Sequence, residues 1–87
     1  MELEGRKVVV IGGAGLIGSH TVDLLTRTKV GEILVYDNFV RGQRSNLANA
    51  LSDPRVRIHD GGGDILQTDV LQNALSGAEG VFHFAAL

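Results

Sequence analysis

Apolar and polar residues alternate in blocks along this chain. Val8-Val9-Val10-Ile11 is an unbroken β-branched run, the pattern of a strand covered on both faces. Ile33-Leu34-Val35-Tyr36 repeats it, and Glu32 to Asp37 reads as a second strand. Arg55 to His59 alternates, with Val56 and Ile58 on one side, and reads as a third. Val81 to Ala85 reads as a fourth. Between the first two strands, Leu16 to about Lys29 has helical spacing. Ile17, Thr21, Leu24, Leu25 and Thr28 fall on one face, with His20, Asp23 and Arg27 mostly off it, and Gly31 is a C-terminal stop. Ser45 suits the N-cap of a short helix from Asn46 to Leu51, which Ser52-Asp53-Pro54 breaks. Thr68 or Asp69 caps a third helix to about Ser76, with Asp69 and Gln72 as a capping box. Gly61 to Asp64 and Gly77 to Gly80 are turns.

The expected order is βαβαβαβ. This is an α/β, Rossmann-type arrangement with three layers and a parallel sheet in the spatial order 3-2-1-4. In such sheets a ligand binds beyond the carboxyl ends of the strands, where the order reverses. Here the reversal falls between the first and fourth strands.

A glycine-rich turn occupies that position. Gly12, Gly13, Gly15 and Gly18 fit both G-x-G-x-x-G and G-x-x-G-x-x-G. Gly12 and Gly13 allow backbone angles that a Cβ forbids, Gly15 allows a pyrophosphate to approach, and Gly18 allows close helix packing. A helix opening near Leu16 turns its free N–H groups and positive dipole end toward phosphate. Glycine spacing by itself also describes a tight turn with no ligand. Asp37 changes the balance: it follows Gly18 by 19 positions, at the end of the second strand, where an acidic side chain accepts from the adenosine ribose hydroxyls.

Composition narrows the classes. At 87 residues the chain is expected to form one small domain, and folding hides only roughly 60–65% of its surface. Apolar residues at 44% argue for a packed core. A net charge of −2 offers no basic surface for nucleic acid or anionic lipid. Cysteine is absent, which excludes disulfides, thiolate chemistry and cysteine-bound zinc in this chain. No apolar run reaches membrane-spanning length and the first residues carry no signal-peptide core, so a cytoplasmic protein is expected. His20, His59 and His83 lack metal-ligand spacing. Arg41 and Arg44, just past Asp37, hint at a 2′-phosphate, but the Asp37 charge would repel one, which favours NAD over NADP.

Four ordered stretches carry a family likeness: Gly12 to His20, Tyr36 to Gly42, Gly63-Asp64-Ile65, and Gly80 to Leu87. With them the chain resembles the N-terminal part of the extended short-chain dehydrogenase/reductase family. Within it the likeness is to NAD-dependent sugar-nucleotide epimerases and dehydratases of the UDP-glucose 4-epimerase kind. The resemblance implies a phosphate loop at Gly12, Gly15 and Gly18, with backbone contacts at Leu16 and Ile17. It implies Asp37 on the ribose with Asn38 beside it, and Asp64 on the adenine amino group with Ile65 against the ring. Phe84, Ala85 and Ala86 would line the floor toward the nicotinamide side. Ile11 stands where the family often has threonine, and the Asp60 to Gly63 stretch is longer and richer in glycine than usual. The family's Tyr-x-x-x-Lys pair is absent; the one tyrosine, Tyr36, is followed four positions later by Val40 and reads as a strand side chain.

Three readings follow. The chain is the NAD-binding segment of a larger enzyme that transiently oxidises a sugar carbon, a stand-alone nucleotide-binding or sensor module, or a structural fragment without activity. Its apolar fourth strand is also expected to leave an open sheet edge and favour self-association.

Overall fold

The computed structural model describes residues 4–39, 43–59 and 65–84. Among them are four strands: β1 (Lys7–Ile11), β2 (Glu32–Tyr36), β3 (Val56–Ile58) and β4 (Ala78–His83). Two α-helices are present, α1 (Leu16–Leu25) and α2 (Thr68–Leu75). The strands form one parallel sheet in the order β3-β2-β1-β4, as expected.

β1 and β2 sit at the middle of the sheet and pair in register, with Val8 opposite Ile33, Val9 opposite Leu34 and Val10 opposite Val35. Their alternate side chains feed two cores. On one face Val8, Val10, Ile33 and Val35 meet Val22 and Leu25 of α1, Leu47 and Ala50. On the other, Val9, Ile11, Leu34 and Tyr36 meet Ala74 of α2. Continuous rather than alternating apolar runs are therefore required: each central strand is buried on both sides.

Several boundaries differ from the sequence reading. α1 ends at Leu25, before Lys29, in a turn where the hydroxyls of Thr26 and Thr28 donate to the carbonyls of Asp23 (2.6 Å) and Leu25 (2.7 Å). These hydroxyls compete for carbonyls that a longer helix would use. Gly31 is not the stop. It lies beside the Gly5 carbonyl, where a Cβ would come within 2.5 Å, and its N–H donates to Arg6 O at 2.9 Å. The buried face of α1 is also not the expected one: Gly18, Ser19, Val22 and Leu25 point inward, while Ile17 is 70% exposed and Leu24 is 47% exposed. The contact of Gly18 with the glycine turn sets the rotation of the helix and carries those two side chains outward.

Between β2 and β3, an expected helix from Asn46 to Leu51 is replaced by two 3-10 turns, Arg44–Leu47 and Ala50–Ser52. Gln43 occupies the cap of the first, and Ser45 lies inside it with its hydroxyl toward Gln43 Oε1 at 3.4 Å. Leu47 and Ala50 are buried on one face, as they would also be in a helix, while the Ser52 hydroxyl donates to Asn49 O at 2.5 Å, a local bond that competes with helical pairing. Asp53 is extended (φ −84°, ψ 123°), as its position before Pro54 requires. α2 starts at Thr68 with Gln67 at its cap and no side-chain cap bond, so the Asp69–Gln72 capping box does not form. Asp69 instead lies in the first turn, where its charge suits the helix dipole. β4 begins at Ala78 rather than Val81, because Gly77 (φ 75°) makes the turn and Ala78 already pairs with Lys7. β4 is an edge strand among the described residues, with Val81 49% exposed. The Gly61 to Asp64 turn lies outside the described residues, as does Ala85.

Arg55, just before the edge strand β3, closes the end of α1. Its guanidinium donates to the carbonyls of Thr26 (2.6 Å), Thr28 (2.8 Å) and Val30 (2.9 Å), and to both oxygens of Asp53 (3.1 and 2.7 Å). α1 has no basic residue of its own in its last turn, so this cation arrives from the start of β3. The side-chain and backbone hydrogen bonds from Arg55 hold the Asp53 carboxyl at about 2, below its ordinary 3.8. A depressed carboxyl stabilises the fold above its unfolded-state value and loses that contribution as pH falls through the folded one. Acid unfolding should therefore steepen between about pH 4 and pH 2, and Asp53→Asn should remove that component. Circular dichroism across an acid titration of both proteins checks this; the effect should shrink with salt, because the pair is partly open to solvent.

Candidate functional site

The carboxyl ends of β1, β2 and β4 converge on the glycine turn. Gly12 N–H donates to Tyr36 O (2.8 Å), which extends the β1–β2 ladder one residue past β1. Phe84 N–H donates to Ile11 O (2.8 Å) on the other side. Gly12 then turns the chain with φ 81°, a conformation that disfavours any residue with a Cβ. Gly15 N–H closes the turn onto Gly12 O at 3.2 Å. Gly13 is not left-handed, contrary to expectation. Its constraint is space: a Cβ there would lie 2.9 Å from Val35 Cγ1.

α1 starts at Leu16, with Gly15 (φ −74°, ψ 175°) as N-cap and no side chain capping it. Ser19 N–H to Gly15 O, at 2.8 Å, is the first helical bond. The first-turn N–H groups ahead of it have no intrahelical acceptor. Leu16 and Ile17 are 81% and 70% exposed, so their side chains lie away from the core. Gly18 packs onto the backbone of Gly12 and Gly13 so closely that a Cβ would collide with the Gly12 carbonyl.

Asp37 is half-buried and ties two loops together. Its Oδ2 accepts from Ala14 N–H (2.9 Å), and its Oδ1 accepts from Phe39 N–H (2.7 Å). A carboxylate offers about four acceptor positions, so both oxygens retain capacity. Asn38 is exposed beside it. Phe39 is held at φ 62°, and the Arg44 guanidinium lies over its ring at 5.4 Å. A non-glycine residue in that conformation is strained, and the Asp37 bond to its N–H helps to hold it. The Ala14 carbonyl accepts from Gln43 N–H (3.0 Å) and Asn46 Nδ2 (2.8 Å).

The structure thus brings together Gly12, Gly15, Leu16, Ile17, Gly18, Asp37 and Asn38. Ile65 packs against the core built on Val9, Ile11, Leu34 and Tyr36, and Phe84 is 40% exposed at the end of β4. Asp64, Ala85 and Ala86 lie outside the described residues, as does Arg41. Tyr36 is fully buried with its ring 5.6 Å from that of His59. No group of three or more His, Asp or Glu side chains suited to a metal occurs among the described residues. Sequence reasoning did not find Phe39, Gln43 or Asn46. Phe39 acts through its N–H on Asp37, and Gln43 and Asn46 act on the Ala14 carbonyl, contacts with backbone or across the chain that residue types alone do not announce.

A parallel sheet with a glycine turn and a terminal carboxylate at its switch point defines a Rossmann-type fold, here of the extended short-chain dehydrogenase/reductase class. Residues 9–87 match the 3-beta hydroxysteroid dehydrogenase/isomerase family, and the chain belongs to it. It is 37% identical over 84 residues to UDP-glucuronic acid decarboxylase 1 of Arabidopsis thaliana, covering 93% of this chain and 18% of that protein. It is 40% identical over 82 residues to UDP-glucose 4-epimerase of Lacticaseibacillus casei, covering 91% and 22%. The crystal structure of UDP-glucose 4-epimerase from Brucella ovis in complex with NAD superposes with a TM-score of 0.77 at 34% identity, covering 94% and 23%. The chain spans about a fifth of the length of the curated relatives it matches.

The two inner glycines separate by substitution. Gly18→Ala should cost about 1–3 kcal/mol, because the backbone of Gly12 must move. Gly15→Ala, whose Cβ would meet only Gly12 O at 3.5 Å, should cost less than about 1 kcal/mol. Urea unfolding of both variants measures the difference.

Proposed function

We propose that this chain holds the ADP-ribose half of NAD. The observation that carries this reading is the pairing of an uncapped helix N-terminus at Leu16 with the Asp37 carboxylate across the turn. The site fits the ligand in three respects. The Gly15 cap has no side chain to bond the helix end, so its first N–H groups can donate to the pyrophosphate. At Gly15 a Cβ would have little protein to meet, which leaves the space on that side to the phosphates. Asp37, anchored by two backbone N–H groups, is oriented to accept from the vicinal ribose hydroxyls. Its charge opposes a 2′-phosphate and favours NAD over NADP. Arg44, which lies over Phe39, does not cancel that preference. The complex of the Brucella ovis epimerase with NAD supports the same reading.

The larger protein would act on a nucleotide sugar, as the names of the relatives suggest. Bound NAD would supply reversible hydride acceptance at a sugar carbon. The residues of this chain bind and orient the dinucleotide. They supply no acid–base pair: Tyr36 is buried in the core and no Tyr-x-x-x-Lys occurs in this sequence.

Two measurements test the proposal. Asp37→Ala should weaken NAD binding by roughly 1.5–3 kcal/mol, the scale of a hydrogen bond to a charged group, and narrow the preference over NADP. Calorimetric titration of both dinucleotides checks it, with Asp37→Asn as the variant that keeps the shape; equal NAD affinities would remove Asp37 from the site. The 87-residue chain, incubated with NAD and a panel of nucleotide sugars, should give no product above blank, since positioned proton transfer is typically worth about 10²–10⁴-fold.

A further inference from the structure

The glycine turn has a second anchor on the side away from Asp37. Ala14 sits at its centre, fully buried, and both polar groups of its backbone are engaged. Its N–H donates to Asp37 Oδ2, and its carbonyl accepts from Asn46 Nδ2 at 2.8 Å and Gln43 N–H at 3.0 Å. The two donors to the carbonyl are the cap and the third residue of the first 3-10 turn, 32 residues along the chain in the case of Asn46. That turn is itself fixed, because the next residue, Leu47, is fully buried in the core.

We infer that Asn46 is a positioning residue for dinucleotide binding: its amide fixes the Ala14 carbonyl and so sets the direction of the N–H groups that open α1. The inference rests on the NAD reading above. A peptide group is planar, so fixing the carbonyl of Ala14 also fixes the N–H of Gly15 and the path into Leu16. The carbonyl is a partial negative charge two residues before the proposed pyrophosphate site. Directed at Asn46, it leaves the helix end purely donating. Without the Asn46 amide, only Gln43 N–H holds that oxygen and the longer Gly15–Gly12 bond holds the other side of the peptide, so the oxygen can tilt toward the phosphates. Asn46 needs no contact with the ligand to have this effect. Asparagine suits the task because its NH₂ donates to Ala14 while the side chain carries no charge. Aspartate has the same shape with acceptors only, and would repel the carbonyl.

The test separates the loop from the rest of the site by ligand. Asn46→Asp and Asn46→Ala are titrated by heteronuclear NMR with NAD and with adenosine, which lacks the pyrophosphate, alongside the unsubstituted chain. NAD affinity should fall about 5- to 20-fold in both variants, the scale of losing one buried hydrogen bond or replacing it with repulsion. Adenosine affinity should change less than about twofold. The amide resonances of Ala14 and Gly15 should shift in the free variants. Equal losses for the two ligands would assign Asn46 a general structural role and overturn the inference, as would unchanged NAD affinity. If Asn46→Asp does not fold, Asn46→Ala decides by the same comparison. An unsubstituted chain that binds adenosine but not NAD, or neither, would overturn the NAD reading and this inference with it.

Discussion

Much of the local geometry depends on one carboxylate. Asp37 accepts from Ala14 N–H at the top of β1 and from Phe39 N–H just after β2. Hydrogen bonds from backbone N–H to an ionised acceptor are stronger than those between neutral groups. One side chain thereby holds two adjacent strand ends at a fixed separation. It also helps to keep Phe39 left-handed, a conformation that a phenylalanine does not favour by itself. Gln43 and Asn46 both donate to the Ala14 carbonyl, so the other polar group of the same residue is held from the loop beyond β2.

Packing constrains the other half of the site. Gly18 lies on the backbone of Gly12 and Gly13, so α1 has one available rotation over the sheet. That rotation sends Val22 and Leu25 into the core and leaves Leu16 and Ile17 on the solvent side of the first turn. The apolar character of α1 is consequently a poor guide to its orientation. The rotation that suits this close approach also buries Val22 and Leu25, so the helix keeps part of its apolar burial while Ile17 and Leu24 face out.

Stability is distributed in the same way. The two faces of the central strands share the apolar burial, while the end of α1 is completed by Arg55 from the sheet margin. The guanidinium satisfies the Thr26 carbonyl at the C-cap of α1 and the carbonyls of Thr28 and Val30 in the segment that follows. The same planar fork engages Asp53 through both oxygens, a geometry that lysine does not offer. Helix end, strand start and the turn between them form one unit around that side chain.

The central strands and the position of the candidate site are legible in the residues alone. Val8 to Ile11 and Ile33 to Tyr36 can be buried on both faces only at the centre of a parallel sheet. The glycines and Asp37 then fall at its carboxyl edge. Those conclusions rest on local chemistry: β-branched residues favour strands, and only glycine adopts the Gly12 turn without strain. Element boundaries needed contacts between parts of the chain as well as local chemistry. The end of α1 combines the Thr26 and Thr28 hydroxyls with Arg55 from far along the chain, and the early start of β4 combines the Gly77 turn with the pairing of Ala78 to Lys7. Asn46 shows the distinction most clearly. Its amide serves a backbone carbonyl 32 residues away, and a carbonyl carries no residue identity that a sequence pattern can reveal.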